Sequence, residues 1–160
     1  MLDYPLIASP STLARLEERQ HILGRRFPAA VREWYALDRA VAILETYGNS
    51  DRPIPLARLG EIEKGYGGNP DQDLLTNGLL LIMYENQGVT RWAIRLDGTD
   101  DPPVLVQEDW PRGPWHIYAG QFSTFVYTRV WDWQTALVTS RIVGKSGKEV
   151  DGNGHRVVLV

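Results

Sequence analysis

Five carboxylates, Asp97, Asp100, Asp101, Glu108 and Asp109, crowd one short stretch of this chain and are its most site-like group. Carboxylates gathered on one rim by neighbouring turns raise each other's pKa, and can then act as an acid and base pair or ligate a hard cation. The plainer reading is turn chemistry, because aspartate side chains accept backbone N–H bonds in turns. It is also the stronger one, since spacing places no histidine, serine or lysine beside the set as a catalytic partner. His21, His116 and His155 stand far apart and form neither a His-x-His nor a His-Glu-x-x-His pattern. Gly144-Lys145-Ser146 matches the end of a phosphate-binding loop, but such a loop needs a glycine five positions earlier, where this chain has Thr139. Asp151-Gly152-Asn153-Gly154 begins like a calcium loop and then lacks both length and the closing glutamate. There is no cysteine, which removes thiolate zinc sites, disulfides and a cysteine nucleophile. The residues thus name no catalytic group, no cofactor-binding group and no metal ligand.

They do name binding candidates. Of six tryptophans, Trp34, Trp92 and Trp133 sit on periodic apolar stretches and are assigned to the core, where truncation to Ala would cost about 3 to 5 kcal/mol. Trp110 and Trp115 instead lie in a loop with Pro111, Arg112, Gly113 and Pro114. Tryptophan and arginine are the side chains that most often anchor protein interfaces, so Trp110, Arg112 and Trp115 are partner-binding candidates, with Asp97, Asp100 and Asp101 beside them. A loop tryptophan folded back onto the sheet is an equal alternative.

The elements that would position these residues centre on 85 to 106. An Asn86-Gln87-Gly88 turn joins the apolar run Leu79 to Tyr84 to a segment in which Trp92, Ile94 and Leu96 alternate with Arg91, Ala93 and Arg95. That alternation predicts a strand with one buried and one wet face. Asp97-Gly98 makes a second turn, and Pro102-Pro103 precede a third strand over Val104 to Val106. Upstream, Ser9 as N-cap, Pro10 in the first turn and Gly24 at the end frame a helix with Leu13, Leu16, Ile22 and Leu23 as its apolar stripe. A second helix starts near Pro28 with Val31, Trp34 and Tyr35 on one face, and Asp38 caps a further piece containing Ala40 to Leu44. Residues 50 to 78 are rich in Pro, Gly, Asn and Asp, and form either a functional loop or a set of small elements. Downstream, His116 to Ala119 is predicted as a strand, and Ser123 to Val138 as a helix capped by Ser123. The terminal run Arg156 to Val160 is suited to pair with an open sheet edge.

Three blocks in this order carry a family resemblance. They are Phe27-Pro28-Ala29-Ala30-Val31-Arg32-Glu33-Trp34-Tyr35, then Glu85-Asn86-Gln87-Gly88 with the Trp92 strand and Asp100-Asp101-Pro102-Pro103-Val104, then Phe122-Ser123-Thr124-Phe125 leading to Val130-Trp131-Asp132. Spanning about Phe27 to Trp133, the pattern resembles the SUKH superfamily, which includes fungal cell-wall synthesis regulators and bacterial immunity proteins of polymorphic toxin systems. The resemblance implies a non-catalytic protein that binds a cognate toxin, often a nuclease or deaminase, and blocks it by occupation. A regulatory interaction module is the alternative, and an acid/base enzyme using the acidic turns the least favoured reading. In such families Glu85, Asn86, Gln87, Gly88, Trp92, Pro102, Pro103, Trp131 and Asp132 belong to the fold signature. The tail from 141 to 160 lies outside it.

At 160 residues the chain suits one domain, which at this size buries roughly 70% of the surface exposed on unfolding. The expected fold is α+β: one domain over 1 to 160, with helices packed on a mostly antiparallel sheet of about four to six strands. Net charge is −3 with both signs interspersed, so no basic stripe marks a nucleic-acid binder. No apolar run approaches the roughly 20 residues of a membrane helix, and the N-terminus does not read as a secretory signal. A cytoplasmic protein is expected.

Overall fold

A computed structural model of the chain describes residues 7–37, 41, 51–64, 71–110 and 112–129. The first helix, α1 (Pro10–Leu23), begins and ends where the sequence places it. Ser9 Oγ accepts the Thr12 N–H, Pro10 opens the first turn, and Gly24 takes the left-handed conformation, its N–H directed to the Gln20 and His21 carbonyls. The apolar stripe is narrower than predicted. Leu16 is fully buried, whereas Ile22 points to solvent with 64% of its surface exposed.

Pro28 precedes α2 (Ala29–Ala36), which buries Val31 and Tyr35 and leaves Trp34 half-buried against the core. Tyr35 donates its hydroxyl proton to the Ile54 carbonyl at 2.8 Å, pinning the helix to the following segment. The piece from Asp38 to Leu44 lies outside the described residues except for Val41, which is helical and packs against the core.

The segment from 50 to 78 contains small elements, and several of its side chains are core. Strand β1 (Arg52–Pro53), a 3-10 turn at Leu56–Arg58 and an isolated bridge between Glu63 and Gln72 punctuate it. Leu56, Leu59 and Leu74 are buried in the same cluster as Leu16 and Leu80. Arg19 of α1 donates Nε–H to the Leu59 carbonyl at 2.7 Å, which fastens the segment to the helix.

The sheet continues with β2 (Leu79–Tyr84), β3 (Arg91–Arg95), β4 (Val104–Gln107) and β5 (Trp115–Ala119). All neighbours are antiparallel and their order is β1-β2-β3-β4-β5, so the central meander is as predicted within an α+β domain. Its last strand starts one residue earlier than expected, at Trp115. The alternation in β3 misled in one respect: both of its faces are buried, with Arg91, Trp92, Ala93 and Ile94 all covered and Arg95 alone exposed.

Residues 122–129 form the described part of a third helix, α3, which buries Phe122 and Phe125. Phe125 packs 6.3 Å from Trp92 and 5.9 Å from Tyr118 between ring centroids, so this helix does cover the sheet. Ser123 is not its N-cap, however. It lies inside the first turn, and its N–H and Oγ both meet the Asp101 carboxylate at 2.9 and 2.6 Å. The helix end, Trp131, Asp132, Trp133, the glycine-rich half-motifs and the 156–160 run lie outside the described residues. Among the described residues no helix is long and apolar enough to cross a membrane.

Candidate interaction site

Two turns meet at one end of the meander. In the turn between β2 and β3, Glu85 donates its N–H to the Thr90 carbonyl and accepts the Gly88 N–H on its own. Its Oε2 also accepts the Gln87 and Val89 N–H groups, at 3.1 and 3.4 Å. Gly88 takes φ of 76°, a conformation that side chains with a Cβ resist. Asn86 is tied outward, its N–H to Asp51 Oδ1 at 3.3 Å and its carbonyl to Arg52 Nη2 at 3.1 Å. The signature residues of this turn therefore hold the turn. The β4–β5 connection joins it through the Trp110 N–H, which donates to the Val89 carbonyl at 3.1 Å.

Beneath that junction sits Arg91, which is 1% exposed. Its guanidinium carbon lies 5.2 Å from the ring centroids of both Trp110 and Trp115. Nε donates to Gln107 Oε1 at 2.7 Å and Nη2 to Gln72 Oε1, while the Gln107 amide donates in turn to the Gly113 carbonyl. One buried cation thus binds β3, β4, the 107–115 connection and the segment preceding β2 into a single unit. Its hydrogen-bond acceptors are neutral amides and Nη1 is buried without one. Burial pulls its pKa down to about 10, partly countered by the Glu63 carboxylate, so it stays charged at neutral pH. Burial in turn pushes Glu63 upward against the pull of Arg91.

The loop tryptophans lie against this cation. Trp110 and Trp115 fold back and clamp Arg91, and both are only half-exposed, whereas Arg112 projects into solvent. Beside them runs an open cleft of about 640 Å³, whose wall includes Gln72, Asp73, Leu79, Gln107 and Trp115. The outer strand β5 continues from the clamp and exposes His116, Ile117 (72%) and Tyr118 (49%).

The acidic candidates are not gathered on one rim. Asp97, Asp100 and Asp101 occupy the β3–β4 turn, while Glu108 and Asp109 occupy the β4–β5 turn at the opposite end of β4. A four-residue strand separates the two groups, roughly 13 Å of chain at about 3.3 Å per residue. The three members of the β3–β4 turn serve locally. The Thr99 hydroxyl and N–H bind Asp97 Oδ1 and hold that carboxyl below its ordinary range. Asp100 offers its carbonyl to the Ala30 N–H of α2, and Asp101 holds the start of α3. Pro102 is buried and Asp109 adopts a left-handed φ of 55° in its turn. Among the described residues no three of His, Cys, Asp or Glu are grouped to hold a metal ion.

On the other face of the sheet, Arg129 Nη1 pairs with Asp51 Oδ2 at 3.2 Å, and its guanidinium lies over the Trp92, Tyr118 and Phe125 rings. Neither Arg91 nor this pair was legible as a structural centre. Arg91 looked like part of a wet face, and Asp51 and Arg129 are 78 positions apart. The signal that did exist was the surplus of tryptophans, six in a chain of this size. No protein-family model, no curated protein and no solved structure matches the chain.

Proposed function

We propose that the chain is a protein-binding module of the SUKH kind, acting in the cytoplasm as an immunity protein. It binds a cognate polymorphic toxin, of the nuclease or deaminase class, and neutralises it by occupying a surface the toxin needs. The order of the three sequence blocks supports the family side of this reading. The observation that carries the binding side is the clamp. Arg91, Trp110 and Trp115 lock the β4–β5 connection, and the adjoining strand presents Ile117 at 72% exposure on the face that Trp115 also occupies. A surface held rigid before its partner arrives loses little conformational entropy on binding, which favours a tight blocking complex. Tryptophan is among the side chains that most often anchor interfaces, and the exposed Ile117 beside Trp115 adds apolar area that a partner can bury.

The test is capture of stoichiometric partners from the chain's own host, comparing the natural sequence with Ile117→Asp. Recovery of one toxin chain, its activity suppressed in the complex and the complex lost on substitution, is the expected result. A housekeeping protein held with moderate affinity would replace immunity with a regulatory role. A toxin retained equally by both forms would move the contact away from β5.

A further inference from the structure

Three arginines that the sequence leaves unremarkable converge where α1 hands over to α2. Arg25, Arg26 and Arg32, with His21, line an open cleft of about 510 Å³ whose acidic member is Glu17. None of the three guanidiniums has a hydrogen-bond acceptor or ion-pair partner among the described residues, and Arg32 Nε is buried without one. Arg25 and Arg26 are exposed and Arg32 is half-exposed.

The frame beneath them is fixed. Gly24 turns the chain in the left-handed conformation, and the Arg25 N–H returns to the Gln20 carbonyl at 3.1 Å. Two residues on, the Phe27 N–H donates to Gln20 Oε1 at 2.7 Å, and the Phe27 ring is 1% exposed. Arg25 and Arg26 are therefore held between two anchored points. Attraction to the negative end of α1 accounts for one cation near these carbonyls, and not for three. The Gln20 and His21 carbonyls are in any case taken by the Gly24 and Arg25 N–H groups.

Unpaired guanidiniums on a fixed, shallow frame suit bidentate recognition of planar oxyanions. We propose that this cleft is a docking site for a carboxylate-rich segment of a partner protein. The proposal rests on the reading of the chain as a protein-binding module and adds the chemistry of what is bound. Nucleic acid is the poorer occupant. Its binders track a backbone with a basic groove and stack bases on aromatic rings, but among the described residues no aromatic side chain lines this cleft. A net charge of −3 also opposes a long polyanion while leaving a short local contact almost unaffected.

The test titrates the full chain with fluorescein-labelled hexaglutamate at low ionic strength, reading anisotropy, with an oligothymidylate of equal charge as a parallel arm. The double variant Arg25→Glu, Arg26→Glu changes exposed side chains and is checked for an unaltered far-UV spectrum. Arg58→Glu, on an exposed arginine outside this cleft, serves as the control. Hexaglutamate binding should weaken by about tenfold or more in the double variant and hold in the control. Absence of hexaglutamate binding, equal loss in both variants, or tighter binding of the oligothymidylate would each overturn the proposal. Partner capture read through Ile117→Asp stands or falls separately, so failure here is distinguishable from failure of the protein-binding role.

Discussion

Asp51 and Arg129 show how much the environment of one residue decides. Burial raises the Asp51 carboxyl, outweighing the opposing pull of Arg129 and of the Asn86 N–H. The folded protein therefore holds this proton more tightly than the unfolded chain does. Ionised at neutral pH, Asp51 costs stability; as pH falls through the raised folded pKa toward the unfolded value, that cost is relieved. Replacing Arg129 with Met leaves the carboxylate buried without its countercharge, a loss of about 3 to 5 kcal/mol in urea unfolding at neutral pH. The deficit should shrink on mild acidification, because the carboxyl of the variant titrates at higher pH than in the parent. A deficit independent of pH would show that Asp51 and Arg129 are not coupled. Tyr35→Phe tests a neutral counterpart: the Ile54 carbonyl loses its buried donor, which should lower stability by about 1 to 3 kcal/mol in the same assay.

At the scale of elements, the turns carry the signature residues and also join the layers. Asp101 reaches from the β3–β4 turn to the first turn of α3, where it does the work that the sequence assigned to Ser123. Asp101→Ala should therefore destabilise by about 0.5 to 2 kcal/mol, with Asp101→Asn recovering part of the loss. If Asp101→Ala weakens partner capture while leaving the unfolding midpoint unchanged, the capping role is wrong. Gly113 is tested by its missing side chain: a Cβ there would lie 1.8 Å from the Glu108 carbonyl oxygen. Gly113→Ala must displace the connection that carries Trp110, with a cost of about 1 to 3 kcal/mol and a shift in tryptophan emission. The α1 caps, the β2–β3–β4 meander and the approximate start of α3 were legible because each depends on residues close in sequence. The roles of Arg91 and Asp101 were not, because they come from segments that meet only on folding.

For the whole molecule, one cluster of buried side chains joins Leu16 of α1, Val31 and Tyr35 of α2, Leu56 and Leu59, the central strands and Phe125 of α3. Since the described layers share a core, they should unfold together. Far-UV ellipticity and tryptophan fluorescence are expected to give coincident urea transitions, and separate midpoints would divide the molecule into independent units. The sequence by itself determined the class and order of the elements: helices first, a Gly- and Pro-rich segment, then an antiparallel meander covered by a helix. Apolar periodicity, caps and turn residues act over a few positions, so they can be read along the chain. Tertiary structure alone decided that both faces of β3 are buried, that the acidic residues divide between two ends, and that Arg25, Arg26 and Arg32 share a cleft. Those outcomes depend on which distant side chains exclude water from a charge and which turns share an end of the sheet, and neither is encoded in local spacing.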